Sequence, residues 1–353
     1  MPTFTGSELK KVARDIFRAA GATDREATIV GDALTEANLA GHDSHGVLRI
    51  PEYVRWMEEK LVNTGATMDV ILETDSFALI DGNWGFGQVM GREAMELVIA
   101  KAARVGVATV SGRNCCHLGR VGDYPAMATD RGMAAIMFVN THGGGKLVAP
   151  FGGIERRLSA NPIAVGIPRK SEPAIIVDIS TCAIAEGKVR NMLHSGTPVP
   201  AGSIIDAEGH PTTDAAKFYG PPPGALLPFG GHKGFALGLV ADILAGAISG
   251  AGCSRPEASR IGNSFLVTVI DIDLVRGNDA FSADVEGLIE YVKTSKLAPG
   301  FDRIMVPGEP EAAEHERRMI GGISVSTQVW EQIAETGRRY GVDVDAASAT
   351  KVQ

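Results

Sequence analysis

Along residues 6–40 the apolar positions recur at three- and four-residue intervals. Leu9, Val12, Ala13, Ile16 and Phe17 line one face of a first helix, and a second helix follows to near Gly41. Thr23 with Glu26 three residues later has the capping-box spacing that opens the second, whereas Ser7 with Lys10 is a poor start for the first. From residue 76 the period changes. Strand-like runs over 76–83, 107–114, 133–140, 164–168, 174–180 and 264–272 alternate with helical segments such as 91–106, which predicts a mixed α/β (α+β) domain. The stretch 195–231, with GPPPGALLPFGG, lacks periodicity and is expected to be a functional or mobile loop. The tail over 311–346 returns to helical spacing broken by GGISVS and is expected to fold back on the N-terminal helices. The division expected is a helical domain from residues 1–75 with 300–353 and an α/β domain over 76–299.

Composition narrows the function classes. With 353 residues the chain has length for about two domains, and 44% hydrophobic with 22% charged residues suits a soluble globular protein. A net charge of -8 gives no general attraction to polyanions, so neither nucleic acid nor an anionic membrane is expected as a partner. The apolar run 235–248 is too short to span a bilayer and contains Asp242, and the polar N-terminus has no signal core. A cytoplasmic protein is expected by default. Cys115, Cys116, Cys182 and Cys253 show no CxxC spacing and read as free thiols.

Standard ligand motifs are not matched. Gly85, Gly87 and Gly91 miss the GxGxxG spacing, and a tight strand-to-helix turn accounts for them; Gly143-Gly144-Gly145-Lys146 lacks the rest of a P-loop. His42 and His45 have no third ligand at metal spacing, and the contiguous Cys115-Cys116-His117 points in different directions, so no metal is expected. GHDSHGVLRIPEYV, residues 41–54, is more informative. If residues 43–50 form a helical turn stopped by Pro51, His45 and Arg49 share a face, joining a group that titrates near neutrality to a fork that grips carboxylates. A 2-oxo acid carries its carboxylate and carbonyl on adjacent carbons, a spacing such a pair could read. On these residues alone, a surface arginine with a capping histidine is an equal account. His117 at a strand end, and Gly230-Gly231-His232-Lys233-Gly234 before an apolar helix, are further candidate anion sites.

Several blocks together resemble one family. DSHGVLR (43–49), NCCHLGRVGDY (114–124), VAPFGGIERRLSANPIAVGIP (148–168), DISTCAIAEGK (178–188), FGGHKGFALGLVADILAGA (229–247) and PGE (307–309) are similar to the malate/L-lactate dehydrogenase-type NAD(P)-dependent oxidoreductases. That family also holds sulfolactate, ureidoglycolate and diketogulonate enzymes and a cyclic-ketimine reductase. The resemblance implies a non-Rossmann NAD(P) fold, a homodimer and a small carboxylate substrate. It implies His45 as proton donor or acceptor with Ser44 beside it, and Arg49 on the substrate carboxylate. His117 competes with His45 for the acid/base role. It also implies cofactor contacts, with NAD or NADP, from His117, Leu118, Gly119, Arg120, Val121, Thr141, Asp178, Ile179, Ser180, His232, Lys233, Gly308 and Glu309. Gly202-Ser203 replaces a tryptophan common in the family's long loop, DISTC replaces DMATS, and Lys188 stands where the ketimine reductase has an aspartate. The expected activity is hydride transfer between nicotinamide and C2 of a 2-hydroxy or 2-oxo acid. Reduction of a cyclic imine carboxylate is the alternative on the same scaffold, and a non-catalytic metabolite-binding protein the alternative of another class.

Overall fold

The computed structural model describes residues 1–258 and 260–344, so residues 345–353 of the tail and of the expected helical domain lie outside the described residues. In chain order, strand β1 (Thr3–Phe4) leads into helices α1 (Gly6–Ala19), α2 (Asp24–Leu39) and α3 (Ile50–Glu58). There follow β2 (Asp69–Glu73), β3 (Phe77–Asp81), α4 (Gly87–Val105), β4 (Val107–Cys115), α5 (Asp123–Thr129), β5 (Met133–Asn140), β6 (Ile163–Ile167) and β7 (Ile175–Ile179). Next are α6 (Glu186–Ser195), β8 (Ile204–Ile205), β9 (Pro211–Thr212), α7 (Ala215–Tyr219), β10 (Ala225–Leu226) and α8 (His232–Asp242). The chain closes through β11 (Asn263–Asp271), α9 (Ile272–Val275), α10 (Asn278–Lys293), α11 (Glu309–Gly321), β12 (Ile323–Ser324) and α12 (Thr327–Arg339).

The central sheet has, among the described residues, seven strands in the order β2-β3-β4-β11-β5-β6-β7. Only β3 and β4 run parallel, joined by α4; the other neighbours are antiparallel. This is a mixed α/β fold, and its order differs from the parallel sheet of the classical dinucleotide fold. The edge strand β2 begins at Asp69, so the sheet takes in residues before position 76. β1 pairs with β12, and α11 and α12 pack on α2 and α3, so the two ends of the chain meet as the tail pattern predicts. One apolar core runs from Phe4, Leu9, Ile16 and Phe17 through Phe86 and Met90 to Val110, Phe265 and Val267, fusing the helices to the sheet.

Three local expectations are corrected. The capping box of α1 is Thr5 with Glu8, not Ser7 with Lys10: the Thr5 hydroxyl accepts from Glu8 N at 3.2 Å, and the Glu8 carboxylate accepts from Thr5 N at 2.7 Å. Ser7 already lies inside the helix. Pro51 does not stop a helical turn but sits in the first turn of α3, where the missing N–H has no intrahelical acceptor to lose. The stretch 195–231 is not a structureless loop. β8, β9 and β10 form a small antiparallel sheet that, with α6 and α7, buries its own core of Val189, Val199, Ile204, Phe218 and Leu226. Strands of two residues are too short to display alternation. The apolar run after His232 is α8 continued by one π-turn, Ile243–Ala247. Among the described residues no helix is long and apolar enough to cross a membrane.

One polar knot sets the position of the GHDSHGVLR segment. Asn38, buried at the end of α2, accepts from Val47 N at 2.8 Å and donates to Asp43 at 2.6 Å. Arg318 of α11 donates to the Asn38 carbonyl at 2.8 Å and holds the Asp43 carboxylate. Gly46 passes so close that a Cβ there would stand 2.1 Å from Asn38 Oδ1. Gly46→Ala is therefore expected to displace Asn38 and cost about 1–3 kcal/mol, the scale of stranding a buried polar group. Urea unfolding should show a lower midpoint, and an unchanged midpoint would mean that Asn38 moves freely.

Candidate active site

The segment after α2 folds as two short 3-10 turns, Asp43–His45 and Val47–Arg49, separated by an extended Gly46, rather than as the single helical turn expected. Ser44 Oγ lies 3.0 Å from His45 Nδ1. Arg49 bends back so that its Nε donates to the Ser44 carbonyl at 2.8 Å, while one terminal nitrogen donates to Glu52 at 2.6 Å. A guanidinium has five N–H donors, so the fork keeps capacity for a ligand.

His117 comes in from the far end of β4. Its ring stacks on that of His45, with centroids 5.5 Å apart and planes inclined by 15°. The two histidines that compete for the acid/base role therefore face each other in one site. The Tyr53 hydroxyl of α3 is 2.6 Å from His117 Nδ1, and Gln88 Nε2, in the first turn of α4, donates to that hydroxyl at 3.0 Å. Space for this arrangement comes from glycine. A Cβ on Gly87 would lie 2.3 Å from the His117 carbonyl, and one on Gly91 2.5 Å from the Tyr124 ring. Close approach, not a phosphate, accounts for the near-miss glycine motif.

Burial and neighbouring cations keep both histidines neutral. Desolvation, then Arg49, His42 and Arg120, lower His45 to about 4. Desolvation, then Arg49 and His45, push His117 well below the usual histidine range. Burial raises Tyr53 well above the usual phenol range.

A charged group flanks the pair. Arg120 donates to Asp123 at 2.7 Å, and burial raises the Asp123 carboxyl to about 6. Asp178 accepts from Gly122 N at 2.7 Å and is raised by burial. His42, 3.8 Å from Glu311, is lowered by burial and then by Arg120, with Lys188 also facing it.

The other candidate residues divide by what they already hold. Leu118 N donates to Asn263 Oδ1 at 2.8 Å, fixing the loop that carries Gly119, Arg120 and buried Val121. Gly119 adopts φ 76° directly over Gln88, where a Cβ would stand 3.0 Å from Nε2. Ile179 is exposed after Asp178, and Ser180 precedes Thr181, against whose carbonyl the start of α8 packs, bringing exposed His232 and Lys233 to that side. Thr141 belongs to a separate turn, its hydroxyl donating to the Gly144 carbonyl, with Lys146 spent on the Arg255 carbonyl at 2.7 Å. Gly308, at φ 97°, is the N-cap of α11 against the Ala174 carbonyl. Glu309 is engaged by Lys293 and by Val306 N at 3.0 Å. Gln88 Oε1 and Arg120 Nε, both at the 117–121 loop, are buried without a protein partner, which suits a loop that receives a polar ligand. Among the described residues no group of three or more His, Cys, Asp or Glu could hold a metal, and all four cysteines are free.

Sequence reasoning missed Tyr53, Gln88 and Asp123, and set His42 aside. Tyr53 was within reach, four residues after Arg49, which caps the helix that carries it. Gln88 carried no signal, because only the packing of α4 under the loop brings it to Tyr53.

Comparison with known proteins agrees with this architecture. Residues 4–334 match the family model described as malate/L-lactate dehydrogenase. The chain is 37% identical over 342 residues to an L-lactate dehydrogenase from Cupriavidus necator, covering 96% of this chain and 98% of that one. The solved sulfolactate dehydrogenase of Methanocaldococcus jannaschii superposes with a TM-score of 0.88 at 33% identity, covering 98% of this chain and 99% of that one. A delta1-piperideine-2-carboxylate reductase from Pseudomonas syringae pvar. tomato gives a TM-score of 0.83 at 29% identity, with coverage of 95% and 100%. The match runs over nearly the full length, at these identities and on the same fold: the chain belongs to the malate/L-lactate dehydrogenase family of enzymes.

Proposed function

We propose that this enzyme moves a hydride between a nicotinamide cofactor and C2 of a small 2-hydroxy or 2-oxo carboxylic acid. The observation that carries this reading is the pair of stacked, neutral histidines beside a guanidinium that retains free donors. Arg49 holds the substrate carboxylate and so fixes the adjacent carbonyl or hydroxyl against the histidine pair, an orientation effect. His45, with Ser44 on its Nδ1, is the proton donor and acceptor for the substrate oxygen; His117 orients that oxygen.

The cofactor, when bound, supplies or accepts the hydride at its nicotinamide ring. Its candidate contacts are the loop 117–121 with the orphaned polar atoms of Gln88 and Arg120, residues 178–180, and His232 and Lys233 at the start of α8. Thr141, Gly308 and Glu309 complete the set as outlying contacts. A homodimer is part of the proposal, since Leu237, Leu239, Val240 and Ile243 leave an apolar face on and beyond α8 that a second copy would cover.

Relatives act, by their names, on lactate, malate and sulfolactate, which share a hydroxyl next to a carboxylate. Arg49, Arg120 and Lys188 surround the His42–His45 segment with cations. That surrounding favours an anionic substrate over one that must carry an iminium charge, and so ranks the imine carboxylate second.

A panel of 2-hydroxy and 2-oxo acids, and of cyclic imine carboxylates, assayed with NADH and NADPH tests the reading. Turnover of a 2-oxo acid is expected by loss of nicotinamide absorbance; failure to bind either cofactor in a fluorescence titration would defeat it. His45→Ala is expected to lower kcat by about 10²–10⁴-fold while leaving cofactor affinity intact. If His117→Ala gives the larger loss and His45→Ala is nearly neutral, the two roles are exchanged.

The pH profile follows from the neutral state of His45. Reduction needs its protonated form, so kcat/KM for a 2-oxo acid should fall as pH rises above about 4, the free-enzyme value. A bound carboxylate neutralises Arg49, the larger of the cationic influences on His45, and raises its pKa in the complex. The falling limb of kcat should therefore lie at higher pH than that of kcat/KM, and coincident limbs would remove Arg49 from the carboxylate.

A further inference from the structure

The acid/base roles proposed above leave the Tyr53 phenol and the Gln88 amide nitrogen unassigned, and both are buried against His117. Tyr53 is 2% exposed and Gln88 3%, so the hydrogen bonds of the phenol must be settled with the Gln88 amide nitrogen and the histidine. A phenol has one proton to give. Gln88 Nε2 donates to the Tyr53 oxygen at 3.0 Å, which directs the single Tyr53 proton to its other neighbour, His117 Nδ1, at 2.6 Å.

We infer that Gln88 and Tyr53 form a positioning relay that locks His117 in the tautomer with Nδ1 bare and Nε2 protonated. His117 then presents a fixed N–H donor to the substrate oxygen. It is not the titrating acid, because surrendering the Nε2 proton would leave an imidazolate unless Tyr53 became a phenolate. Burial already opposes ionisation of Tyr53. The titratable and charged groups that face His117 are Arg49, His45 and Tyr53, and none of them is a carboxylate that would hold a proton on Nδ1 as an acceptor.

This rests on the 2-hydroxy acid reading for the identity of the oxygen that receives the bond, and it extends that reading. The stacked ring of His45, whose Nδ1 is held by Ser44 rather than by a relay, remains the group that changes protonation. One histidine polarises and the other transfers. The logic is that of an orienting group that fixes an imidazole tautomer without itself changing charge.

The test is the nitrogen spectrum of the enzyme labelled with 15N-histidine, with the His117 signals identified by their loss in His117→Asn. Expected in the wild type near neutral pH are a pyridine-type Nδ1 and a pyrrole-type Nε2; a protonated Nδ1 would overturn the inference. Gln88→Glu keeps the shape and puts an acceptor where the donor stood. The Tyr53 proton should then turn to the new carboxylate, and His117 should show the reversed tautomer. An unchanged signature would also overturn the relay. Tyr53→Phe, near-isosteric, is expected to lower kcat on the order of 10²-fold with little change in KM for the 2-oxo acid, because the donor is misdirected while Arg49 still binds. An unaltered kcat would remove the relay from catalysis. Absence of any dehydrogenase activity in the wild type would strike the substrate reading alone, since the tautomer is read without turnover.

Discussion

The arrangement of the site depends on Asn38. Its one amide ties the end of α2 to the Val47 backbone and to Asp43, and Arg318 closes the knot from α11. Both partners of the Asn38 side chain lie in the segment that carries Ser44, His45 and Arg49. A buried amide bonded through both its oxygen and its nitrogen is cheap to keep and costly to break, so it fixes a short polar segment that has little apolar surface of its own to hold it. Gly46 is the complement of that constraint, since nothing larger fits beside Oδ1.

Around this anchor the fold works on charge. The two histidines are taken out of water next to Arg49, and each consequence has the same sign: the free site disfavours a further positive charge. An arriving carboxylate relieves that condition. In the proposed mechanism this couples the binding of a carboxylate on Arg49 to proton uptake at His45. The half-buried carboxyls of Asp123 and Asp178, raised by desolvation, flank the same site and moderate the cations that face it.

Much of this was legible in the chain. The sheet strands and the N-terminal helices announce themselves by period; His45, Arg49 and His117 stand out as candidates by their chemistry, and Ser44 enters only with the resemblance. What escaped did so for physical reasons. The cap of α1 was not found: Ser7 with Lys10 is a poor box, and Glu8 reaching back to Thr5 shows the cap two residues earlier. Pro51 reads equally as a stop or as a first-turn residue until the backbone before it is known. The small sheet around Ile204 is made of strands too short to have a period. Tyr53 could have been found by extending the helical spacing from Arg49. Gln88 could not, since α4 reaches His117 through a tertiary approach that local sequence does not encode.

The knot at Asn38 also has a consequence in time. Asp43 and Arg318 are 275 residues apart, and β1 waits for β12 across a similar distance. A chain emerging from the ribosome displays its histidines and its guanidinium long before the residue that closes the clamp has been made. The geometry of the candidate site is thus among the last things the chain acquires, and a partly synthesised copy has the candidate groups without the clamp that aims them.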